Sequence, residues 1–317
     1  MLSRRNIRVK VMQAIYAFEQ DPEKTIERLE KSMLENINAA PRGLLLNLYI
    51  LCKTAEYVNT DLQIRAEKHI QSEEDKNLSV SILYNPVIQH LVVTEDLFRE
   101  IQKEKLDLRF DPDCFRYFFQ KLKKTEEYSE YAQKENPLLT EDREIITFLY
   151  KNILLTDELF LQITEDVFAT WQDDRELIYH HVLNFITTVP PNQPAFVVRQ
   201  SKEMKEVKQF AGELLRKTIY NKEETESLIV PLLENWDKER VALLDMLLMK
   251  MAVIELLYFP EIPVKVTMNE YIDLSKLYST PKSGEFINGI LDTILKKLRD
   301  ENKIQKAGRG LQENSSV

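Results

Sequence analysis

Glycine is the residue this chain does almost without: 6 of its 317 residues. Sheet proteins, dinucleotide-binding folds and phosphate loops need glycine where φ turns positive or where backbone must approach a ligand closely. Such scarcity weighs against all of them and leaves helices, which accommodate glycine poorly. The hydrophobic pattern agrees. Ile7, Val11, Ala14, Ile15 and Phe18 share one helical face, with Arg5 and Tyr16 on the other side and Val9 and Met12 beside them. Asp21-Pro22 and Asp111-Pro112 read as N-caps followed by proline at the first helical position. Thr267-Met268-Asn269-Glu270 and Asn221-Lys222-Glu223-Glu224 read as capping boxes. Pro260 and Pro263 close a strongly apolar helix over about 237–258. No segment pairs strict alternation with hairpin turn residues, so an all-α fold is expected.

The net charge of −9 argues against a general nucleic-acid binder until it is divided along the chain. Residues 1–18 hold Arg4, Arg5, Arg8 and Lys10 and no acid. Residues 19–210 hold 24 basic and 35 acidic residues, and residues 211–317 hold 15 and 17. The average therefore describes the middle, and the first helix is a basic island. A weak repeat of period 65 aligns Leu149, Ile163, Trp171 and Arg175 with Leu214, Leu228, Trp236 and Arg240. Duplication and convergent amphipathic patterning explain it equally well. Two cysteines, Cys52 and Cys114, make no disulfide framework, and no secretory start is visible, so a reducing, cytoplasmic setting is expected. No apolar run is long enough to cross a membrane.

Signals for catalysis are poor. His69, His90, His180 and His181 have no partner at metal-ligand spacing, and nucleophile-elbow, paired-cysteine and phosphate-loop motifs are absent. No enzyme, metal or cofactor is expected. Binding signals are better. Three guanidinium groups open the first helix, and a guanidinium fork suits phosphate. Tyr16 offers a ring for stacking a base and Gln13 an amide for a base edge. A solvated basic arm explains the same residues. In the C-terminal third, Phe286, Ile287, Ile290, Leu291, Ile294 and Leu298 demand a buried helix, yet Asn288 and Gly289 interrupt it. A glycine there costs about 1 kcal/mol relative to alanine. Close helix packing at Gly289 is the expected reason, and Asn288 either ties down the loop 279–283 or touches a ligand.

These motifs together resemble the NusB family of transcription antitermination factors. The resemblance lies in the arginine-rich first helix ending Gln13-Ala14-Ile15-Tyr16. It continues through Ile262-Pro263-Val264-Lys265-Val266 to Asn269-Glu270 and Lys276, and closes with Phe286-Ile287-Asn288-Gly289-Ile290-Leu291-Asp292. It covers residues 1–20 and roughly 205–300. It implies an all-α, NusB-like helical bundle of two packed subdomains, extended here by an inserted helical region. The division expected for this chain is a basic N-terminal helix (1–20), an acidic helical insertion (21–204), a helical core (205–300) and a disordered polar tail (301–317). The resemblance further implies binding of boxA-type single-stranded RNA of ribosomal RNA transcripts. The implied partner is NusE, a small-subunit ribosomal protein, within an RNA polymerase antitermination complex. On this chain Arg4, Arg5, Arg8 and Lys10 would contact phosphates, and Gln13 and Tyr16 would face bases. Lys282, Ser283, Phe286 and Asn288 would complete the RNA surface, and Asp245 would face NusE. Three or four phosphate contacts on single-stranded RNA give a salt slope of about −2 to −3. The alternative is a helical protein–protein scaffold that keeps the fold without RNA binding.

Overall fold

A computed structural model describes residues 3–21, 23–67, 79–93, 95–188, 202–233 and 242–315. Among the described residues every regular element is helical and none is a strand. The chain divides into two compact units: an inserted unit, residues 38–199, and a split unit, residues 2–37 together with 200–317. Helix α1 (Arg4–Gln20) and helix α2 (Ile26–Ala66) open the chain. The break between units falls inside α2, after Ile37. Pro41 lies one turn later and has no N–H to give the Ile37 carbonyl, so the boundary coincides with a missing helical rung.

The inserted unit continues with α3 (Pro86–Val92), α4 (Glu95–Lys103), α5 (Asp113–Lys123), α6 (Glu126–Ala132) and α7 (Leu139–Phe148). A π-helical stretch, Leu149–Leu154, leads to α8 (Glu158–Val167) and α9 (Trp171–Thr188). Its core is one apolar cluster that includes Leu51, Phe118, Phe119, Tyr150 and Trp171. Tyr150 and Asn47 are matched inside that core, whereas the buried Thr54 Oγ1 has no hydrogen-bond partner among the described residues. The Tyr150 hydroxyl donates to Asn47 Oδ1 at 2.9 Å, and the Asn47 amide donates to the Gly43 carbonyl at 2.7 Å. Cys52 and Cys114 are buried, and burial pushes the Cys114 thiol up to about 12, so neither favours a reactive thiolate.

The split unit adds α10 (Lys202–Tyr220), α11 (Lys222–Ile229), α12 (Leu243–Tyr258), α13 (Val264–Tyr278) and α14 (Ser283–Asp300). Helix α12 is apolar all round and every residue from Leu247 to Leu256 is buried, as befits a central helix. Helices α1, α10, α11, α13 and α14 pack around it. Leu29, Met33 and Ile37 bury the first turns of α2 in the same unit, and Glu30 pairs with Arg216 at 2.7 Å.

Several local readings change. Helix α13 starts after Pro263, so Thr267 is an interior residue and not a cap; its hydroxyl donates to Glu255 Oε1 at 2.7 Å. Asn221 does occupy an N-cap position, but its amide bonds backward to the Lys217 carbonyl. Trp171, which the repeat aligns with Trp236, begins helix α9. Pro22, Trp236, Arg240 and residues 237–241 of the expected apolar helix lie outside the described residues. The tail expected to be disordered from 301 is folded back. Lys306 Nζ donates to the Phe259 carbonyl at 3.0 Å, the Ala307 amide donates to the Pro260 carbonyl at 3.1 Å, and Gly310 is buried. A Cβ on Gly310 would lie 2.1 Å from that carbonyl oxygen, which is backbone and cannot step aside. Gly310→Ala should therefore release the tail. Trypsin should cut after Lys303 or Lys306 roughly tenfold faster while the thermal melt of the helices stays put.

Candidate nucleic-acid interface

The basic helix is far less available than its sequence suggests. Ser3 caps α1 by accepting from the Asn6 amide at 3.2 Å, which fixes the start of the arginine cluster. From there α1 runs into the interior: Ile7, Arg8, Val9, Lys10, Val11 and Met12 are all buried. Arg8 has no exposed surface at all. Its Nε and Nη2 donate to the two oxygens of Glu255 at 2.8 and 2.6 Å, and its Nη1 lies 3.6 Å from Glu270. Rings of Phe210 and Tyr271 flank the guanidinium at 5.6 and 5.7 Å. Burial alone would lower the pKa of Arg8, but the hydrogen bonds to Glu255 overcome it and hold the charge in place. Arg5 is half-exposed, with its fork filled. It makes two 3.1 Å bonds to Glu270 and one of 2.8 Å to Asp273, and the Glu270 bond raises its pKa.

Arg8 and Lys10 are therefore removed from the set of phosphate contacts by burial, and Arg5 is occupied by two carboxylates. What α1 still presents is Arg4, exposed with its guanidinium 5.5 Å from the Phe210 ring, and Tyr16, 40% exposed; Gln13 is half-buried. The acids that take up the arginines have a legible sign. Glu255 sits in the last turn of a strongly apolar helix, and a carboxylate is almost never buried there without a cation to meet it. Lys250, in the same helix, likewise meets Glu226 at 2.7 Å.

Helix α14 carries the second half of the candidate surface. Lys282 stands exposed just before its first turn. Ser283 is buried and works inward: its hydroxyl lies 2.8 Å from Asp245 Oδ2 and 2.8 Å from Thr280 Oγ1, and accepts from the Thr280 amide at 3.2 Å. Ser283 is thus a latch for the loop 279–283, not an RNA contact. Asp245, 5% exposed, is its anchor and is buried where a partner-facing residue was expected. Phe286 is half-buried, while Asn288 and Gly289 are exposed. A Cβ added to Gly289 would meet nothing within 4 Å, so close helix packing does not explain this glycine.

Comparison with known proteins closes the assignment. A family model described as NusB family matches residues 161–296. A transcription antitermination protein NusB from Salinibacter ruber is 45% identical over 102 residues, 32% of this chain and 64% of the relative. One from Chloroherpeton thalassium is 38% identical over 33% of this chain and 49% of its own length. One from Desulfatibacillum aliphaticivorans is 38% identical over 121 residues, which cover 85% of that relative. The chain belongs to the NusB family. It spans about half to two thirds of the length of the first two relatives. A solved structure of T. maritima NusB is 30% identical, with 40% of this chain and 82% of that one covered, at a TM-score of 0.28. The NusB match begins in α8 of the inserted unit and leaves α1 outside, although α1 packs on α10 and α12 within the split unit.

Proposed function

We propose that this chain is a transcription antitermination factor that binds boxA-type single-stranded RNA of ribosomal RNA transcripts together with NusE, as part of an RNA polymerase antitermination complex. The names of its relatives support the antitermination role. The observation that carries the binding reading is the bare outer face of α14 at Asn288 and Gly289. A mid-helix glycine costs about 1 kcal/mol against alanine. With open space around it, Gly289 gains nothing inside this fold, so the gain lies with something that approaches the helix closely from outside. Lys282 at the head of the same helix and Arg4 on α1 supply cations to phosphate, and Phe286 and Tyr16 supply rings.

With Arg8 and Lys10 buried and Arg5 paired, two phosphate contacts remain, and the salt slope falls to about −1.4. So shallow a slope goes with weak binding alone and calls for a second protein to complete the surface. The test is fluorescence anisotropy of a boxA-like RNA with and without NusE, against a scrambled RNA of equal length. Preference for the boxA-like RNA in the presence of NusE is expected. Equal binding of both RNAs in both conditions would sink the reading. Gly289→Ala should raise helix stability by about 0.5–1 kcal/mol while weakening RNA binding roughly tenfold, opposite signs that a merely structural glycine does not give. The scaffold reading draws support from the burial of Arg8 and Lys10. It predicts that Arg4→Glu with Lys282→Glu leaves all binding unchanged.

A further inference from the structure

The inserted unit holds the whole excess of acid: 18 basic and 27 acidic residues, a net of −9, with the rest of the chain balanced. On this unit a cavity of about 390 Å³ opens between residues 109–111, the first turns of α5 and one stripe of α8. Its walls are apolar, from Phe110, Tyr117, Leu159 and Ile163. Leu108 beside it is 76% exposed, and Tyr117 and Leu159 are 42% and 36% exposed. Its lining carries Asp111, Asp113 and Asp166 against one cation of its own, Arg109; Lys121, whose Nζ lies 4.7 Å from the Tyr117 ring, is paired with Asp157.

One rim carboxylate has a task within the fold: Asp111 Oδ1 accepts from the Asp113 amide at 2.9 Å and caps α5. Asp166 has none among the described residues. It lies exposed in the last turn of α8, where the helix dipole disfavours a carboxylate, and no cation of the described residues pairs with it. An apolar recess under a carboxylate rim suits a long apolar stem that ends in a cation, which is a lysine or arginine side chain. Phosphate is repelled by the same rim. A free polyamine would neutralise the carboxylates but leave Leu108, Tyr117 and Leu159 uncovered. A polypeptide covers them with the residues that flank its cation.

We propose that this cavity is a docking site for a partner protein, taking an arginine or lysine side chain flanked by apolar residues. Every residue that lines it belongs to the inserted unit, whereas Arg4, Tyr16, Lys282, Phe286 and Asn288 belong to the split unit. The full chain, labelled at isoleucine methyl groups, is titrated with three probes: acetyl-Leu-Arg-Leu-amide, the same peptide with norleucine for arginine, and spermidine. The arginine peptide should move the Ile163 methyl signal saturably. Asp166→Asn and Asp113→Asn should each weaken it about tenfold at unchanged melting temperature, the size expected for a lost charge-assisted hydrogen bond. RNA binding should stay as it was in both variants. The proposal is overturned if the norleucine peptide binds as well, if spermidine shifts Ile163 at equal or lower concentration, if Asp166→Asn changes nothing, or if the arginine peptide gives no Ile163 shift at about 5 mM.

Discussion

Arg8→Ala should destabilise the split unit by about 3–5 kcal/mol, the largest loss expected from any single replacement in the basic helix. Glu255 would keep its two hydroxyl donors, Thr267 at 2.7 Å and Tyr271 at 3.2 Å, but lose both guanidinium bonds while fully buried. An uncompensated buried carboxylate costs more than the pair itself contributes, because desolvation has already been incurred. Arg8→Lys should fall in between, since an ammonium cannot span both carboxylate oxygens. Arg8→Met combined with Glu255→Leu should recover most of the loss, because apolar residues of similar volume often replace a buried pair at little cost. Urea denaturation followed by circular dichroism checks this. With a slope of about 1–3 kcal/mol per molar, the single variant should lose roughly 1–5 M in midpoint. A drop equivalent to under about 1 kcal/mol would show that Glu255 finds other donors.

Ser283→Ala should cost about 2–3 kcal/mol, because a hydrogen bond to a buried carboxylate is among the stronger kinds. The Ser283 hydroxyl is the partner of Asp245 Oδ2, and Asp245 Oδ1 has no hydrogen-bond partner among the described residues. Removal also frees Thr280, so the loop before α14 loosens and Lys282, Phe286 and Asn288 lose their fixed presentation. RNA affinity should fall with stability, yet the salt slope should not change, since no phosphate contact is removed. Lys282→Ala should behave in the opposite way: unchanged stability and a slope shallower by about 0.7. Measuring both variants separates a residue that touches RNA from one that holds the surface in shape. A changed slope in Ser283→Ala, or an unchanged one in Lys282→Ala, would reverse the assignment.

The fold class was legible because it rests on patterns repeated along the chain: scarce glycine, helical periodicity, and proline after helix ends. Residue roles were less legible, for identifiable reasons. Arg8 and Glu255 stand 247 positions apart, and periodicity says which face of a helix is apolar without saying what polar partner waits beneath it. The carboxylate in an apolar helix was the available clue. For Asp245 and Ser283 the resemblance implied surface roles, and each is hidden by the other. Gly289 failed in reverse. Its cost was readable from sequence, but whether the space beside it is filled is a tertiary fact. The tail was read as disordered from its polar composition, though backbone carbonyls at the end of α12 hold it.

The burial of α1 also sets an order of events during synthesis. Its partners on α10, α12 and α13 emerge from the ribosome only some 200 residues later. At about 5–20 residues per second that is a wait of roughly 10–40 s. The inserted unit, contiguous over 38–199, ends just before α10 begins at Lys202 and ahead of Glu255 on α12 and Glu270 on α13. A nascent chain of this protein thus carries a finished acidic unit and an orphaned basic, amphipathic helix at the same time. For that interval the helix lacks the carboxylates that meet its charges, and Arg8 and Arg5 are paired only when Glu255 and Glu270 arrive.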